Sequence, residues 1–379
     1  MPSETILTNA RIVLEDGILD GTVVLREGRI AAIDGGRASL GEDMEGDYLI
    51  PGLVELHTDH LESHYSPRPG VTWDSIAALQ AHDAQVATSG ITTVFDCLRL
   101  GSDEEGGFER GEMRAIADAI ETAGAEDRLR ASHLIHLRCE VSAANVLDHF
   151  EDFRDDPQVR LASLMDHAPG QRQFQTMETY TLYYKTKSGR TDEEFARFTE
   201  RRIAESERYS ALHRRALAEA CGERHIAIAS HDDATLEHVA ESEAFGVSIA
   251  EFPTSIEAAN ASHAAGMAVL MGAPNIVRGK SHSGNISAKA LAEAGVLDVL
   301  SSDYVPFSLM QAPFVLADLD PALGLPAAIR MVTATPARAV GLADRGRIAT
   351  GLRADLVRVR RPSGVPVVRS VWREGRRVA

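Results

Sequence analysis

Five side chains that can bind a metal ion or carry a proton lie close together early in the chain. The stretch 51–64 reads PGLVELHTDHLESH. A short apolar run comes first, and the five side chains that follow it are His57, Asp59, His60, Glu62 and His64. Side chains alternate along a strand, so an imidazole and a carboxylate two residues apart point the same way. His57 and Asp59 could therefore hold one metal ion between them. The alternative is a polar loop after a strand, and this stretch alone supports both interpretations equally.

Acids and imidazoles also follow several later apolar runs. They are His136 and Glu140, with Arg138 between them, then Asp166 and His167, then His231, Asp232 and Asp233, then Glu251, and finally Asp303. A single histidine in such a place is more often a hydrogen-bonded structural residue than a ligand. If five or six strand ends of this kind converge on one site, a metal centre is favoured instead. Mixed imidazole and carboxylate ligands suit zinc, manganese or iron. Glu140 could bridge two ions, and Asp303 could accept a proton from water and return it to a leaving group.

A second set of polar residues is basic and lies among glycines and small hydroxyl side chains. The segment 272–285 reads GAPNIVRGKSHSGN, which contains Asn275, Arg278, Lys280, His282 and Ser283. Glycine and serine let backbone N–H groups approach an anion, so this segment predicts a phosphate site. Arg138 and Arg172 could add guanidinium groups for the same anion. The alternative is that these residues are solvated loop charges.

Eight short apolar runs provide the elements that would position these residues. The runs begin at residues 53, 91, 133, 159, 226, 247, 267 and 297, and polar or helical segments separate them. Continuous apolar strands that alternate with helices predict a parallel sheet buried on both faces. Eight such units over residues 51–337 fit a (β/α)₈ barrel better than an open sheet. Chemistry in such barrels lies at the C-terminal ends of the strands, where these acids and imidazoles fall.

Both ends of the chain show β alternation instead. Residues 1–50 and 338–379 contain alternating stretches separated by turns, and we expect them to meet in one discontinuous β-sandwich domain. Residues 170–224 are polar and helix-rich, without an apolar strand. A connection this long inside a barrel is expected to be a lid or an added helical element. An oligomerisation or decorative insertion is an equal alternative.

Charge and hydropathy narrow the class of partner. The net charge of −17 argues against nucleic acid and against an anionic membrane surface. The N-terminus lacks the features of a signal peptide and no apolar run reaches the length of a membrane span, so we expect a cytoplasmic protein. The three cysteines do not predict a disulfide framework. A basic mouth could still bind an anionic substrate, because the field in a cleft is set by nearby charges.

Two longer motifs resemble a known superfamily. PGLVELHTD after a β-rich N-terminus and GLRADLVRV near the C-terminus are similar to motifs of the amidohydrolases. HTDHLE, SGITTVFD, HLRCE, SLMDHAPGQRQF, ASHDDAT, MGAPNIVRG-x-SHSGN and LSSDY resemble one family within it, the diphosphatases of α-D-ribose 1-methylphosphonate 5-triphosphate in phosphonate degradation. The resemblance covers essentially the whole chain. It implies a TIM-like barrel of the metal-dependent hydrolase type that attacks the α-phosphorus, releases pyrophosphate and leaves ribose 1-methylphosphonate 5-phosphate.

The resemblance also implies one or two divalent metal ions, with zinc first and manganese or iron as alternatives. The superfamily's metal positions fall on His57 and Asp59, with Glu140, His167 or His231, and Asp303 as the further candidates. The first-strand motif of the superfamily is usually His-x-His, whereas this chain has Asp59 as the second member. Its later histidines usually follow strands five and six, whereas His167 and His231 follow strands four and five here, so Glu251 is an alternative ligand. Arg278, Lys280 and His282 would neutralise the departing pyrophosphate.

Two other functions stay open on the sequence alone. One is an amide- or lactone-hydrolysing amidohydrolase on the same metal platform, and the other is a metal-free scaffold barrel. The basic segment 272–285 favours the phosphate substrate, because an uncharged cyclic amide would not need it. The resemblance implies a small phosphorylated ribose phosphonate as the partner, and a homo-oligomer is also considered.

Overall fold

A computed structural model describes most of the chain, namely residues 4–101, 110–172, 177, 180–181, 184–185, 190–279 and 285–379. Its strands are β1 Glu4–Val13, β2 Ile18–Arg26, β3 Arg29–Gly35, β4 Glu42–Asp43, β5 Tyr48–Pro51, β6 Leu53–Thr58, β7 Ile91–Leu100, β8 Ser132–Glu140, β9 Val159–Met165, β10 Ala227–His231, β11 Ile249–Glu251, β12 Ala268–Gly272, β13 Val299–Ser301, β14 Leu356–Ser363, β15 Val365–Arg373 and β16 Arg376–Arg377. The helices of the described residues are α1 His60–Tyr65, α2 Ser75–Thr88, α3 Arg110–Ala125, α4 Val146–Glu151, α5 Asp192–Glu223, α6 Leu236–Ala244, α7 Ile256–Ala264, α8 Ala273–Arg278, α9 Ala288–Glu293, α10 Ser308–Leu319, α11 Gly324–Arg330 and α12 Ala334–Ala339.

The two ends of the chain share one mixed sheet. Its strands lie in the order β16-β15-β14-β5-β1-β2-β3, with β4 paired to β1. The ends meet where β14 runs antiparallel to β5, with Val357 opposite Ile50. Most pairs are antiparallel, as the alternation predicts, but β1 runs parallel to β4 and β5. One apolar cluster holds this sheet together and includes Leu7, Val23, Leu49, Leu356 and Trp372.

Strands β6 to β13 form a parallel sheet whose neighbours follow the order of the chain. The first and last of these strands meet in a parallel bridge between Thr58 and Asp303. At this seam the N–H of Asp303 donates to the carbonyl of His57 at 3.1 Å. The carboxylate of Glu55 accepts from the N–H groups of His57 and Ser302 at 2.7 and 2.6 Å. The predicted eight-stranded barrel, accompanied by a sheet from both termini, is confirmed.

The barrel interior changes from apolar to polar along its strands. Six residues, on β7 and on β9 to β13, belong to one apolar cluster: Phe95, Leu161, Ala229, Ile249, Leu270 and Val299. Two residues further along, the same strands carry Cys97, Ser163, His231, Glu251, Gly272 and Ser301. Side chains repeat with a period of two along a strand, so both sets lie on the same face of the sheet. Polar groups therefore gather at the C-terminal ends, above an apolar floor.

The segment 170–224 contains one long helix within its described part. Helix α5 spans 32 residues and begins with a capping box. The hydroxyl of Thr191 accepts from the N–H of Glu194 at 3.3 Å, and the Glu194 carboxylate accepts from the N–H of Thr191 at 2.9 Å. These bonds satisfy donors that the start of a helix leaves unpaired. The described residues of this segment contain no strand, as their polar sequence indicates.

Two further features bear on the expectations from composition. No helix in the described ranges has both the length and the hydropathy to span a bilayer. Cys97, Cys139 and Cys221 are buried and form no disulfide. Burial raises the pKa of the Cys97 and Cys139 thiols well above the ordinary value, so both stay neutral at physiological pH.

Candidate metal centre

Among the described residues, four groups of side chains could hold a metal ion, and two of these combine histidine and aspartate from the C-terminal ends of barrel strands. His57, Asp59 and Asp303 form the first group, in which ligand atoms lie within 4.8 Å of one another. The second group consists of His167, His231 and Asp232, and its ligand atoms satisfy the same limit. The two groups are adjacent, because the rings of His57 and His231 stack with 5.8 Å between centroids.

Glu251, at the end of β11, links the two groups. Its Oε1 accepts from Nδ1 of His57 at 3.0 Å, and its Oε2 accepts from Nδ1 of His231 at 2.9 Å. A carboxylate can only accept, so both Nδ1 atoms carry protons and each ring keeps Nε2 as the nitrogen able to bind a metal. Burial opposes ionisation of Glu251, but His57 and His136 outweigh it and hold its pKa well below the usual range. Glu251 thus orients two histidines, with both of its oxygens engaged.

Glu140, at the end of β8, has the same relation to His167. Its Oε2 accepts from Nδ1 of His167 at 2.7 Å, and its Oε1 accepts from the N–H of His167 at 3.1 Å. Burial opposes ionisation of this carboxyl, but His167 and Arg202 outweigh it and lower its pKa to about 2. The sequence suggested Glu140 as a bridging ligand. Among the described residues Glu140 belongs to neither metal-ligating group, and it contacts His167 through Nδ1.

Asp59 is held by two arginines from neighbouring strands. Nη1 of Arg138 contacts both carboxylate oxygens at 2.7 Å, and Nη2 of Arg99 lies 3.6 Å away. Arg99 and Arg138 occupy the same register position on β7 and β8. Burial opposes ionisation of Asp59, but Arg138 and His57 outweigh it and lower the pKa of the carboxyl. The mouth therefore combines potential metal ligands with two guanidinium groups, of which the sequence analysis identified only Arg138.

Three strand ends turn through the left-handed region at residues that are not glycine. Asp232, Phe252 and Asp303 have φ values of 59°, 53° and 55°. The N–H of each donates to the next strand around the barrel, at 2.9 Å to Glu251, 2.9 Å to Leu270 and 3.1 Å to His57. Such conformations cost about 1 to 3 kcal/mol and cluster at functional sites. They re-aim the side chains that follow each strand.

The left-handed turn explains why Asp232 escaped selection as a ligand. His231 and Asp232 are consecutive, and consecutive side chains of a regular strand point to opposite faces. In the structure Asp232 Oδ2 instead lies 3.4 Å from Nε2 of His231 and 3.9 Å from Nε2 of His167. A His-Asp pair at a strand end was visible in the sequence, but only the backbone turn brings both residues into one group.

The other predicted substrate-binding residues are more dispersed. Arg172 is buried and forms ion pairs with Asp233 and with Glu241, the latter at 2.8 Å. Burial and then Arg214 lower the pKa of Arg172 to about 10. This guanidinium is therefore engaged in the protein wall rather than exposed to an anion.

The basic segment after β12 begins with a short helix. Helix α8 covers residues 273–278 and ends at Gly279, whose φ is 74°. Within it, Asn275 is half-buried and its Oδ1 accepts from the N–H of Ala288 at 3.4 Å, while Arg278 is exposed. The remaining predicted residues of the segment lie outside the described ranges, namely Lys280, His282 and Ser283.

The donor set fits a divalent metal. Imidazole nitrogens and carboxylate oxygens occur together in both groups, the mixture that zinc, manganese and iron accept. Oδ2 of Asp232 is buried, and no hydrogen-bond donor of the described residues reaches it. A buried carboxylate oxygen without a partner is costly, and a cation between the ligands would satisfy it.

Comparison with known proteins agrees with this geometry. Residues 226–379 match the model of the Amidohydrolase family. The chain is 46% identical over 376 residues to the α-D-ribose 1-methylphosphonate 5-triphosphate diphosphatase of Escherichia coli (strain K12), across 98% of this chain and 100% of that protein. The chain belongs to this diphosphatase family of amidohydrolases. Family membership and the two His/Asp groups together indicate that it binds divalent metal.

Solved structures with the same fold lie further away in sequence. N-acetylglucosamine-6-phosphate deacetylase from Pasteurella multocida superposes with a TM-score of 0.64 at 12% identity, covering 98% of this chain and 99% of that one. The deacetylase from Thermotoga maritima gives a TM-score of 0.64 at 15% identity, with 99% of both chains covered. At this identity the likeness shows the fold alone, so the diphosphatase family shares its architecture with enzymes of other chemistry.

Proposed function

We propose that the protein hydrolyses α-D-ribose 1-methylphosphonate 5-triphosphate to α-D-ribose 1-methylphosphonate 5-phosphate and pyrophosphate. The observation that carries the proposal is the identity of 46% with a diphosphatase along the full length of both chains. The mouth of the barrel supports it, because hydrolysis at phosphorus needs charge neutralisation around phosphoryl oxygens and a placed proton acceptor. Two arginines beside Asp59 and the carboxylate of Asp303 supply groups of both kinds.

Each of the two groups would hold one metal ion. His57, Asp59 and Asp303 would hold one divalent ion, and His167, His231 and Asp232 a second. Zinc is the first expectation for these ligands, with manganese or iron as alternatives. When bound, divalent ions neutralise phosphoryl oxygens and lower the pKa of water.

Asp303 would act as the general base and acid. Its carboxylate would accept the proton of the attacking water and return it to the departing pyrophosphate. The backbone of Asp303 is held at the barrel seam by the carbonyl of His57 and by the hydroxyl of Thr58, which donates to the Asp303 carbonyl at 3.0 Å. A base fixed in this way loses little entropy when it meets the substrate.

Positive groups would bind the triphosphate. Arg138 and Arg99 lie beside the first metal-ligating group, where guanidinium groups can donate to phosphoryl oxygens. The basic segment after β12, with Arg278, Lys280 and His282, would neutralise the pyrophosphate. Arg172 would support the wall of the site through its ion pairs. Cytoplasmic location and a homo-oligomeric state also stay predictions.

Hydrolysis in ¹⁸O-labelled water tests the proposal directly. Purified protein is incubated with the 5-triphosphate and each divalent metal, and products are identified by ³¹P NMR and mass spectrometry. We expect pyrophosphate without label and one ¹⁸O in the ribose 5-phosphate group. Label in pyrophosphate, or release of orthophosphate, contradicts attack at the α-phosphorus. Turnover of N-acetyl sugars or cyclic amides without pyrophosphate release would replace the proposal with the amide-hydrolysing alternative.

A further inference from the structure

Helix α5 carries a stripe of buried polar side chains along one face. Arg202, Ser206 and Ser210 are spaced four residues apart, and each is less than 8% exposed. Residues four apart on a helix lie above one another on the same face. A buried polar stripe on a helix needs partners, because an unpaired buried polar group is costly.

The partners of this stripe are two carboxylates at adjacent strand ends. Nη2 of Arg202 donates to Glu140 Oε1 at 3.2 Å and to the hydroxyl of Ser142 at 2.9 Å. The hydroxyls of Ser206 and Ser210 donate to Oδ2 of Asp166 at 2.9 and 2.7 Å. Glu140 ends β8, and Asp166 follows β9 directly.

His167 lies between these two contacts. Glu140, held by Arg202, accepts from both the N–H and Nδ1 of His167. Asp166, held by the two serines, also accepts from the N–H of Ala168 at 3.1 Å through Oδ1. The residues on both sides of His167 and its own imidazole are thus tied to α5, directly or through one carboxylate.

We propose that α5 is a positioning element of the metal centre, in which Arg202 acts through Glu140 to set the ring orientation and tautomer of His167. The proposal rests on the metal-binding role of His167 in the proposed function. The sequence predicts either a lid or an added helical element for the segment 170–224, and the proposal distinguishes between them. A lid that opens at this face would break a buried Arg–Glu pair and leave the Glu140 carboxylate without its guanidinium partner, so this face of α5 is a fixed wall.

The effect of losing Arg202 should be local. Without the guanidinium, Glu140 can turn toward other donors, and His167 loses the acceptor that fixes its Nδ1 proton. Loss of such a partner typically weakens metal binding by about 10- to 100-fold. The first group should be unaffected, because His57 is oriented by Glu251 on the other side of the centre.

The test compares Arg202→Met with Arg201→Met in the full-length protein. Arg201 is the neighbouring residue on α5, and its half-exposed side chain lies 3.9 Å from Glu205 and 5.6 Å from the centre of the Phe198 ring, without contact to Glu140 in the described residues. Zinc binding is titrated in chelator-buffered solution, with cobalt spectra as a second readout. We expect two equivalents in wild type and in Arg201→Met, and one equivalent weakened about 10- to 100-fold in Arg202→Met. Arg202→Lys should recover part of the affinity.

A second variant keeps the test decisive if Arg202→Met does not fold. The double substitution Ser206→Ala with Ser210→Ala removes the support of Asp166 without a change in charge, and it should weaken the same equivalent. Two tight equivalents in both α5 variants would overturn the proposal. A wild type that binds one equivalent, unchanged by His167→Ala, would instead remove the second metal from the proposed function. The two failures are therefore distinguishable.

Discussion

Oε1 of Glu251 accepts a hydrogen bond from Nδ1 of His57 at 3.0 Å, across the interior of the barrel. The first-strand histidine is thus oriented by a carboxylate of the sixth strand. The same carboxylate holds His231 at 2.9 Å, so one buried acid sets two rings of the candidate centre. Glu251 is therefore the position at which a small change should disturb both metal-ligating groups together.

Replacement of Glu251 by glutamine should weaken metal binding at both groups. The amide keeps the size of the side chain but supplies only one carbonyl acceptor for two Nδ1 donors. We expect both equivalents to bind about 10- to 100-fold more weakly in a zinc titration. Glu257→Gln, at an exposed position of α7, is the matched control. Unchanged affinities in the Glu251 variant would show that the rings are held without this carboxylate.

Asp303→Asn should abolish most turnover while leaving the fold and most of the metal in place. The amide cannot accept the proton of the attacking water, and loss of a general base typically costs about 100- to 10,000-fold in kcat. The measurement is steady-state release of pyrophosphate, paired with metal analysis and circular dichroism. Asp20→Asn, exposed on β2, provides the control for a neutralised carboxylate. Near-normal kcat would mean that another group takes the proton.

Arg99→Met should raise KM for the triphosphate more than it lowers kcat. Arg99 is partly exposed beside Asp59, so its loss should remove a charge-assisted contact to the substrate without opening the core. We expect KM to rise about 5- to 10-fold with unchanged metal content. Arg128→Met removes an exposed arginine paired with Glu126 and should leave KM unchanged. Equal effects of the two substitutions on KM would show that Arg99 makes no specific contact with the substrate.

A buried histidine away from the centre should make stability depend on pH. Nδ1 of His133 lies 2.7 Å from Asp96 and its Nε2 lies 3.3 Å from Asp83. Burial lowers the pKa of His133, but Asp96 and Asp83 outweigh it and raise the value to about 9 from 6.5. Because the folded-state pKa is raised, the stabilisation is fully present below about pH 6.5 and is lost as the pH rises through 9.

Thermal unfolding of the metal-free protein between pH 6 and 10 checks this prediction. The wild-type midpoint should fall across that range by more than that of His133→Gln, which has no charge to lose. His263→Gln, at a partly exposed histidine paired with Asp298, should follow the wild type. Parallel curves for wild type and His133→Gln would show that this histidine is neutral in the folded protein.

The barrel was predictable from the sequence because each strand is a continuous apolar run ending in polar residues. The same logic selected His57, Asp59, His167, His231 and Asp303 as candidate ligands, since a polar residue at a strand end can be recognised without tertiary information, and the structure brings each of them into one of the two groups. The residues that orient the candidate ligands were harder to predict from the sequence. Glu251 meets His57 across 194 positions of the chain, and Asp232 joins its group only through a left-handed turn. Neither a long-range contact nor a single φ value leaves a local pattern in the sequence.

The barrel seam determines when, during synthesis of the chain, the first metal-ligating group can be completed. The first group joins His57 and Asp59, near the start of the barrel, to Asp303, which lies two residues after the last strand, and the Thr58–Asp303 bridge closes the sheet at the same point. A growing chain therefore cannot complete this group until residue 303 has left the ribosome. Capture of the first ion would follow closure of the barrel during synthesis. A truncated product that ends before β13 would lack this group, whatever the metal supply in the cell.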